Sequence, residues 1–143
     1  MIFSRACEYG IRAVLYLAAM PEGRLVQVRD VASKLEIPSP FLSKIVQTLT
    51  RRGILHSQKG PGGGIYLGKS AETILVVDVV GAIDGMALSE TCVLGLPNCS
   101  DAAPCPFHDQ WDSIRGGIMK MLKDKSVSQL AEEFKQKQFV LNR

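Results

Sequence analysis

Three cysteines and a histidine crowd one irregular stretch, CVLGLPNCSDAAPCPFH, residues 92–108. Its three prolines and one glycine exclude a regular helix or strand, so neither periodicity accounts for Cys92, Cys99, Cys105 and His108 standing together. Thiolates are soft ligands suited to zinc or an iron–sulfur cluster, and imidazole serves either. Structural zinc sites in small modules usually pinch one ion between close Cys-x-x-Cys knuckles. Here the gaps are six and five residues, followed by Cys105-Pro-Phe-His108. Wide gaps let a loop wrap a larger object and prolines stiffen the wrap, which favours a cluster over zinc. An oxidised thiol pair acting as a redox switch is a third chemistry open to the same residues. The loop is too polar and proline-rich to be core. Cys7, set among apolar neighbours, reads as packing.

A second set of residues suits a polyanion. In the segment from Ser39 to Arg52, Leu42, Ile45, Val46 and Leu49 form an apolar helical face, and Ser39, Ser43, Lys44, Gln47 and Arg51 lie off it. Hydroxyls and amides can read base edges, while Lys44, Arg51 and Arg52 can neutralise phosphates; no acid stands among them. A little further on, KGPGGG places Lys59 beside four glycines in five residues. Glycines such as Gly62 and Gly63 let backbone amides approach a phosphate closely. A nucleotide-binding glycine loop does not fit, because no strand-then-helix context surrounds these residues and no lysine–serine pair follows them.

The elements that must carry these residues follow from periodicity. Ala6, Gly10, Ala13, Val14 and Leu17 predict an amphipathic helix from Ser4 to Met20, ended by Pro21 and Gly23. Val28, Val31 and Leu35 mark a short second helix, and a third begins at Ser39-Pro40, since proline suits a first helical turn. ILHSQ and IYLG around the glycine turn predict a β-hairpin. Three helices and then a hairpin is the order of a winged helix-turn-helix, whose second motif helix enters the major groove. The β-branched run ILVVDVVGAIDG also fits a helical face of Ile74, Val77, Val80 and Ile83, and is read as a helix.

After the cysteine loop, Trp111, Ile114, Ile118 and Met121 recur at heptad spacing, a narrow seam suited to pairing with a second copy of the same helix. The bland alternative is a helix folding back on its own domain. Gly116 and Gly117 cost about 1 kcal/mol each inside a helix, so they are expected to mark a close helix approach. Ser126 with Gln129 forms a capping box opening a last helix through about Lys137. The expected fold is mainly α: a winged helix-turn-helix over residues 1–70, a connecting helix over 71–91, the cysteine loop over 92–108, and a long dimerisation helix with a C-terminal helix over 109–143.

Composition sets outer bounds. The chain has 143 residues, a net charge of +3 and 46% hydrophobic residues, which is globular and mildly basic. Arg5, Glu8 and Arg12 interrupt the apolar N-terminal run, against a signal peptide, and no uninterrupted run nears the roughly 18 residues of a membrane span. A cytoplasmic protein without a membrane partner is expected, in a compartment where clustered thiols serve as ligands rather than disulfides. No serine or cysteine nucleophile stands in a recognisable catalytic setting, and a ferredoxin-like Cys-x-x-Cys run is absent, so an enzyme or electron-transfer protein is not expected.

The wing KGPGGGIYLGK, the preceding PSPFLSKIVQTLTRRGIL and the CxxxxxxCxxxxxCPxH loop together resemble the winged-helix family of iron–sulfur regulators that includes IscR and NsrR. The likeness spans nearly the whole chain. It implies a homodimer paired through the long helix after the loop, bound to two-fold double-stranded DNA. It also implies that Cys92, Cys99 and Cys105 hold a cluster, 2Fe–2S or 4Fe–4S, whose state controls DNA affinity. In the IscR-like branch a histidine shortly after the third cysteine completes the site, which points to His108. In other members an acidic side chain on the partner's first helix does so, and Glu8 occupies that place. Ligand softness favours His108. The first gap here is one residue longer than in the IscR-type loop. The resulting expectation is a cluster-sensing repressor, with a zinc- or thiol-switched regulator as the alternative and a redox or electron-transfer protein as a more remote one.

Overall fold

A computed structural model describes residues 2–136 and residue 141. Helix α1, Arg5–Ala18, begins where Ser4 Oγ accepts the Cys7 N–H at 3.0 Å, an N-cap that satisfies one of the free amides of the first turn. Ser4 is itself tied to Asp84: its backbone N–H donates to the carboxylate at 2.9 Å and its hydroxyl bonds the second oxygen. Helices α2, Val28–Leu35, and α3, Ser39–Arg51, are joined by a tight corner. There Glu36 adopts a left-handed conformation, φ 57°, so that the Ile37 N–H returns to the Ala32 carbonyl at 2.9 Å. Ile37 is buried by that turn.

Strands β1, Leu55–Gln58, and β2, Gly64–Leu67, pair antiparallel with Leu55 opposite Leu67 and Gln58 opposite Gly64. The hairpin is anchored to the helices by a bridge between Val26 and Ile65, with bonds of 3.1 and 2.8 Å. The wing predicted from the sequence is therefore present, with one further backbone partner ahead of α2.

Helix α4, Val76–Ile83, replaces the strand that its β-branched residues would also have suited. It is buried on two sides. Val79 belongs to the main core with Val14, Leu42, Leu49 and Leu55, whereas Val77 and Val80 lie in a second cluster with Cys7 and Leu122. A helix wedged between two apolar surfaces needs no polar face. Gly10 permits the close fit: a Cβ there would come within 2.4 Å of Ile83 Cδ1. A short α5, Ala87–Glu90, leads into the cysteine loop, and α6, His108–Asp124, leaves it. Cys7 is fully buried, and that burial pushes its thiol up to about 12, so it packs as expected.

The last helix, α7, Val127–Gln136, opens with the anticipated capping box: the Ser126 N–H donates to Gln129 Oε1 at 2.8 Å, and the Gln129 N–H to Ser126 Oγ at 3.1 Å. Lys137, where that helix was expected to finish, lies outside the described residues. Val127 is bound through its N–H to the Ile74 carbonyl at 2.7 Å and is buried in the main core. Elements after residue 70 thus share one core with the winged helix. No helix among the described residues is long and apolar enough to cross a membrane.

Candidate metal centre and nucleic-acid interface

The cysteine loop folds by local turns rather than by regular structure. The Gly95 N–H returns to the Cys92 carbonyl at 2.9 Å, Ser100 and Ala103 bond each other at 3.1 and 3.3 Å, and the His108 N–H reaches the Cys105 carbonyl at 3.0 Å. These turns bring the three sulfurs within 4.8 Å of one another, partly shielded from solvent. Cys92 Sγ and Cys105 Sγ are 3.6 Å apart, and Cys99 Sγ lies 3.2 Å from His108 Nδ1. The four donors predicted from the sequence therefore converge, in the pairs Cys92–Cys105 and Cys99–His108.

This donor set fits a metal. A tetrahedral ion with metal–sulfur bonds of about 2.3 Å has sulfur–sulfur edges of about 3.8 Å, close to the 3.6 Å pair. The electrostatics favour ionisation of one ligand. The Cys105 N–H donates to Cys99 Sγ at 3.4 Å and, with His108 beside it, lowers the Cys99 thiol to about 7. His108 is raised above its ordinary value, first by Asp101 and then by the Cys99 sulfur. Cys105 is raised by burial. Glu8, the other candidate for a fourth ligand, stands half-buried in the first turn of α1.

Four residues at this site escaped the sequence reading. Asp101 Oδ1 accepts from His108 Nε2 at 2.8 Å. Arg115 lines the cavity of about 250 Å³ around the thiols together with Glu90 and Trp111. Thr91, the residue before Cys92, offers its carbonyl to the Trp111 indole N–H at 2.9 Å and to Arg115 Nη1 at 3.4 Å. A lone aspartate in a turn and a backbone carbonyl carry no spacing signal.

Helix α6 begins at His108 and buries only Leu122 completely. Of the predicted seam, Ile114 and Met121 are 56% and 60% exposed, whereas Ile118 is half-buried against the cluster of Leu122. Trp111 is half-buried. Gly116 and Gly117 face open space in the single chain, so the close approach within one chain falls at Gly10 instead.

On α3, Lys44, Gln47 and Arg51 are exposed opposite the buried Leu42, Ile45 and Leu49, and Arg52 follows, also exposed. Ser39 and Ser43 lie half-buried on the flank, where the Ser43 hydroxyl donates to the Ser39 carbonyl at 3.0 Å. In the wing turn Lys59 and Gly62 are exposed. Gly63 differs: it is buried, its N–H is taken by the Gly60 carbonyl at 2.9 Å, and a Cβ on it would meet Gln58 O at 2.1 Å. Gly63 therefore shapes the turn, and its amide is engaged there rather than turned outward toward a phosphate.

A three-helix core with a paired wing beside an exposed cationic helix, joined to a thiol-lined loop, defines a winged-helix DNA-binding regulator with three cysteines able to hold a metal. The family model of Rrf2, described as an iron-dependent transcriptional regulator, matches residues 3–133, and the chain belongs to this family of transcriptional regulators. An HTH-type transcriptional regulator of Aquifex aeolicus is 35% identical over 132 residues, covering 91% of each chain. CymR, the global cysteine regulator of B. subtilis, shares the fold at TM-score 0.79 and 22% identity, covering 92% of this chain and 96% of its own. T. potens IscR does so at TM-score 0.77 and 19% identity, covering 96% and 90%. The expected fold class stands.

Proposed function

We propose that the protein is a homodimeric, cytoplasmic transcription factor, most simply a repressor, whose hold on promoter DNA follows the state of an iron–sulfur cluster. Cys92, Cys99 and Cys105 are its ligands in this reading, with His108 as the fourth. The observation that carries it is the convergence of three sulfurs within 4.8 Å from a loop with no regular structure. The fold shared with T. potens IscR supports it. A bound cluster supplies a charge and oxidation state that can change, or be lost, with the signal.

The chain's own residues connect that site to DNA. Both ends of the loop are fixed to α6, at Thr91 through Trp111 and at His108 through its place in the first turn. Ordering the loop therefore acts on the helix whose Ile114 and Met121, exposed in the single chain, are the proposed contacts with a second copy. A change in that pairing shifts the spacing of the two α3 helices, which must match half-sites about 34–36 Å apart. To act as a switch, the cluster must favour one arrangement by about 1–3 kcal/mol. Lys44, Gln47, Arg51 and Arg52 on α3, with Ser39 and Ser43 on its flank and Lys59 and Gly62 on the wing, are the proposed DNA contacts.

A second reading rests on the 3.6 Å approach of Cys92 and Cys105, which suits a thiol switch; the fold shared with CymR, a cysteine regulator, is compatible with it. Anaerobic purification with a visible spectrum and iron and sulfide analysis separates the two. A brown protein with comparable iron and sulfide supports the cluster. A colourless protein that cannot be reconstituted with iron and sulfide overturns it in favour of zinc or thiols.

A further inference from the structure

We propose that Asp101 is a positioning residue that sets the tautomer and orientation of His108 toward the thiol site. The inference rests on the reading of that loop as a metal centre, and concerns a residue outside its donor set.

The geometry is a relay. His108 Nδ1 faces Cys99 Sγ at 3.2 Å while Nε2 on the opposite side of the ring contacts Asp101 Oδ1 at 2.8 Å. A neutral imidazole carries one proton, and only the bare nitrogen can bind a metal. An acceptor carboxylate at Nε2 keeps the single proton of the neutral ring there, so that Nδ1, which faces Cys99 Sγ, is the nitrogen left to bind a metal. Without it the ring can place its proton on Nδ1 or rotate away. Carboxylates in this relation to a ligating histidine are a recurrent means of fixing the ring and raising its basicity.

The backbone holds Asp101 for this task. It sits at the tip of a turn in which Ala103 N–H donates to the Ser100 carbonyl at 3.1 Å and the Ser100 N–H to the Ala103 carbonyl at 3.3 Å. Ser100 Oγ accepts from the Ala103 N–H at 3.2 Å and reinforces the same turn. The five residues between Cys99 and Cys105 thus return the chain to the thiols and project one carboxylate back at the histidine. An exposed carboxylate contact by itself contributes little. This one is asymmetric: the Asp101 side chain is fully exposed, at 103%, and the His108 side chain is 13% exposed. Removing the carboxylate therefore leaves the fold intact and frees only the ring.

The test is Co²⁺ titration of the reduced apoprotein, read by its visible ligand-field bands, for wild type, Asp101→Ala, Asp101→Asn, Asp101→Glu, His108→Ala and the double Asp101→Ala/His108→Ala. Asp101→Ala should weaken Co²⁺ binding about 10–100-fold and move the bands in the same sense as His108→Ala. Asp101→Asn, which keeps an acceptor oxygen without the charge, should fall between, and Asp101→Glu should recover part of the loss. The double variant should bind no more weakly than His108→Ala alone. Equal affinity of Asp101→Ala and wild type overturns the proposal, as do fully additive effects in the double variant or a wild type that takes up no Co²⁺. A wild type that binds Co²⁺ with this pattern but accepts no iron and sulfide removes the cluster reading and leaves Asp101 in its role.

Discussion

The indole N–H of Trp111 donates to the carbonyl of Thr91 at 2.9 Å, fastening helix α6 to the residue that precedes the first cysteine of the loop. Arg115, one turn further along α6, reaches the same carbonyl at 3.4 Å and is held by Asp112 at 2.9 Å. The cysteine loop and α6 are thereby tied together at one carbonyl, although Thr91 and Trp111 are not neighbours in sequence. Trp111→Phe keeps the ring's packing and removes the donor. It should leave the protein folded but speed the loss of bound metal or cluster to a chelator severalfold, as followed by absorbance decay. An unchanged decay rate would mean that the clamp does not hold the loop.

The cationic face of α3 and the wing should act through phosphates. Replacing Arg51 or Lys59 by alanine is expected to weaken DNA binding across sequences and to reduce the salt slope by about 0.9 for each phosphate left without its cation. Gly63→Ala should also weaken binding, by a different route, because its Cβ would strike Gln58 O and force the turn open. Fluorescence anisotropy over a salt series distinguishes them: a distorted wing lowers affinity with a change in slope that need not match the removal of one cation. Wild-type binding by both Arg51→Ala and Lys59→Ala would refute the proposed orientation.

Dimerisation and the fourth ligand can be tested together. Ile114→Glu puts a charge at an exposed apolar position of α6 and should convert a dimer to a monomer in sedimentation velocity. If His108 completes the site, all ligands come from one chain and the monomer still takes up metal. If Glu8 of the partner subunit completes it, metal uptake fails on dissociation. A variant that stays dimeric would place the interface elsewhere.

The thiols should titrate unequally. Cys99, lowered to about 7 by the Cys105 N–H and then by His108, favours its thiolate in the folded protein. Its contribution to stability is therefore complete above the ordinary thiol value of 9.0 and is lost as pH falls through about 7. His108, raised first by Asp101, works in the opposite sense: its contribution is complete below 6.5 and is lost as pH rises through its higher folded value. Alkylation of the apoprotein should show Cys99 reacting with a midpoint near 7, a component absent from Cys99→Ala. Metal retention should fall as pH drops through the same range, because a protonated thiol cannot ligate. A Cys99 midpoint near 9 would contradict this.

The capping box at α7 offers a stability test with no functional content. Ser126→Ala removes a buried hydroxyl that accepts the Gln129 N–H and should cost about 1 kcal/mol in denaturant unfolding.

Much of this molecule is written in local patterns. The 3.6-residue spacing of Leu42, Ile45, Val46 and Leu49, the Ser39-Pro40 start of α3, the Ser126–Gln129 cap and the glycine turn each act within a few residues, so sequence alone determined the three helices, the wing and the last helix. The convergence of the three cysteines was legible because soft donors in a polar, proline-rich loop have few other uses. The helical state of 76–83 was less plain: its two buried faces pack on α1, α3 and α6, which come from distant parts of the chain. Only tertiary structure decided that Cys92 pairs with Cys105 and Cys99 with His108, since the order of donors along a loop does not fix which turns close. It also decided that the Gly63 amide is taken up by Gly60, that Gly10 accepts a neighbouring helix within the chain, and that Asp101 and Thr91 stand against the thiol loop and α6. Those relations depend on long-range packing and on single hydrogen bonds, and neither leaves a period or a spacing in the sequence.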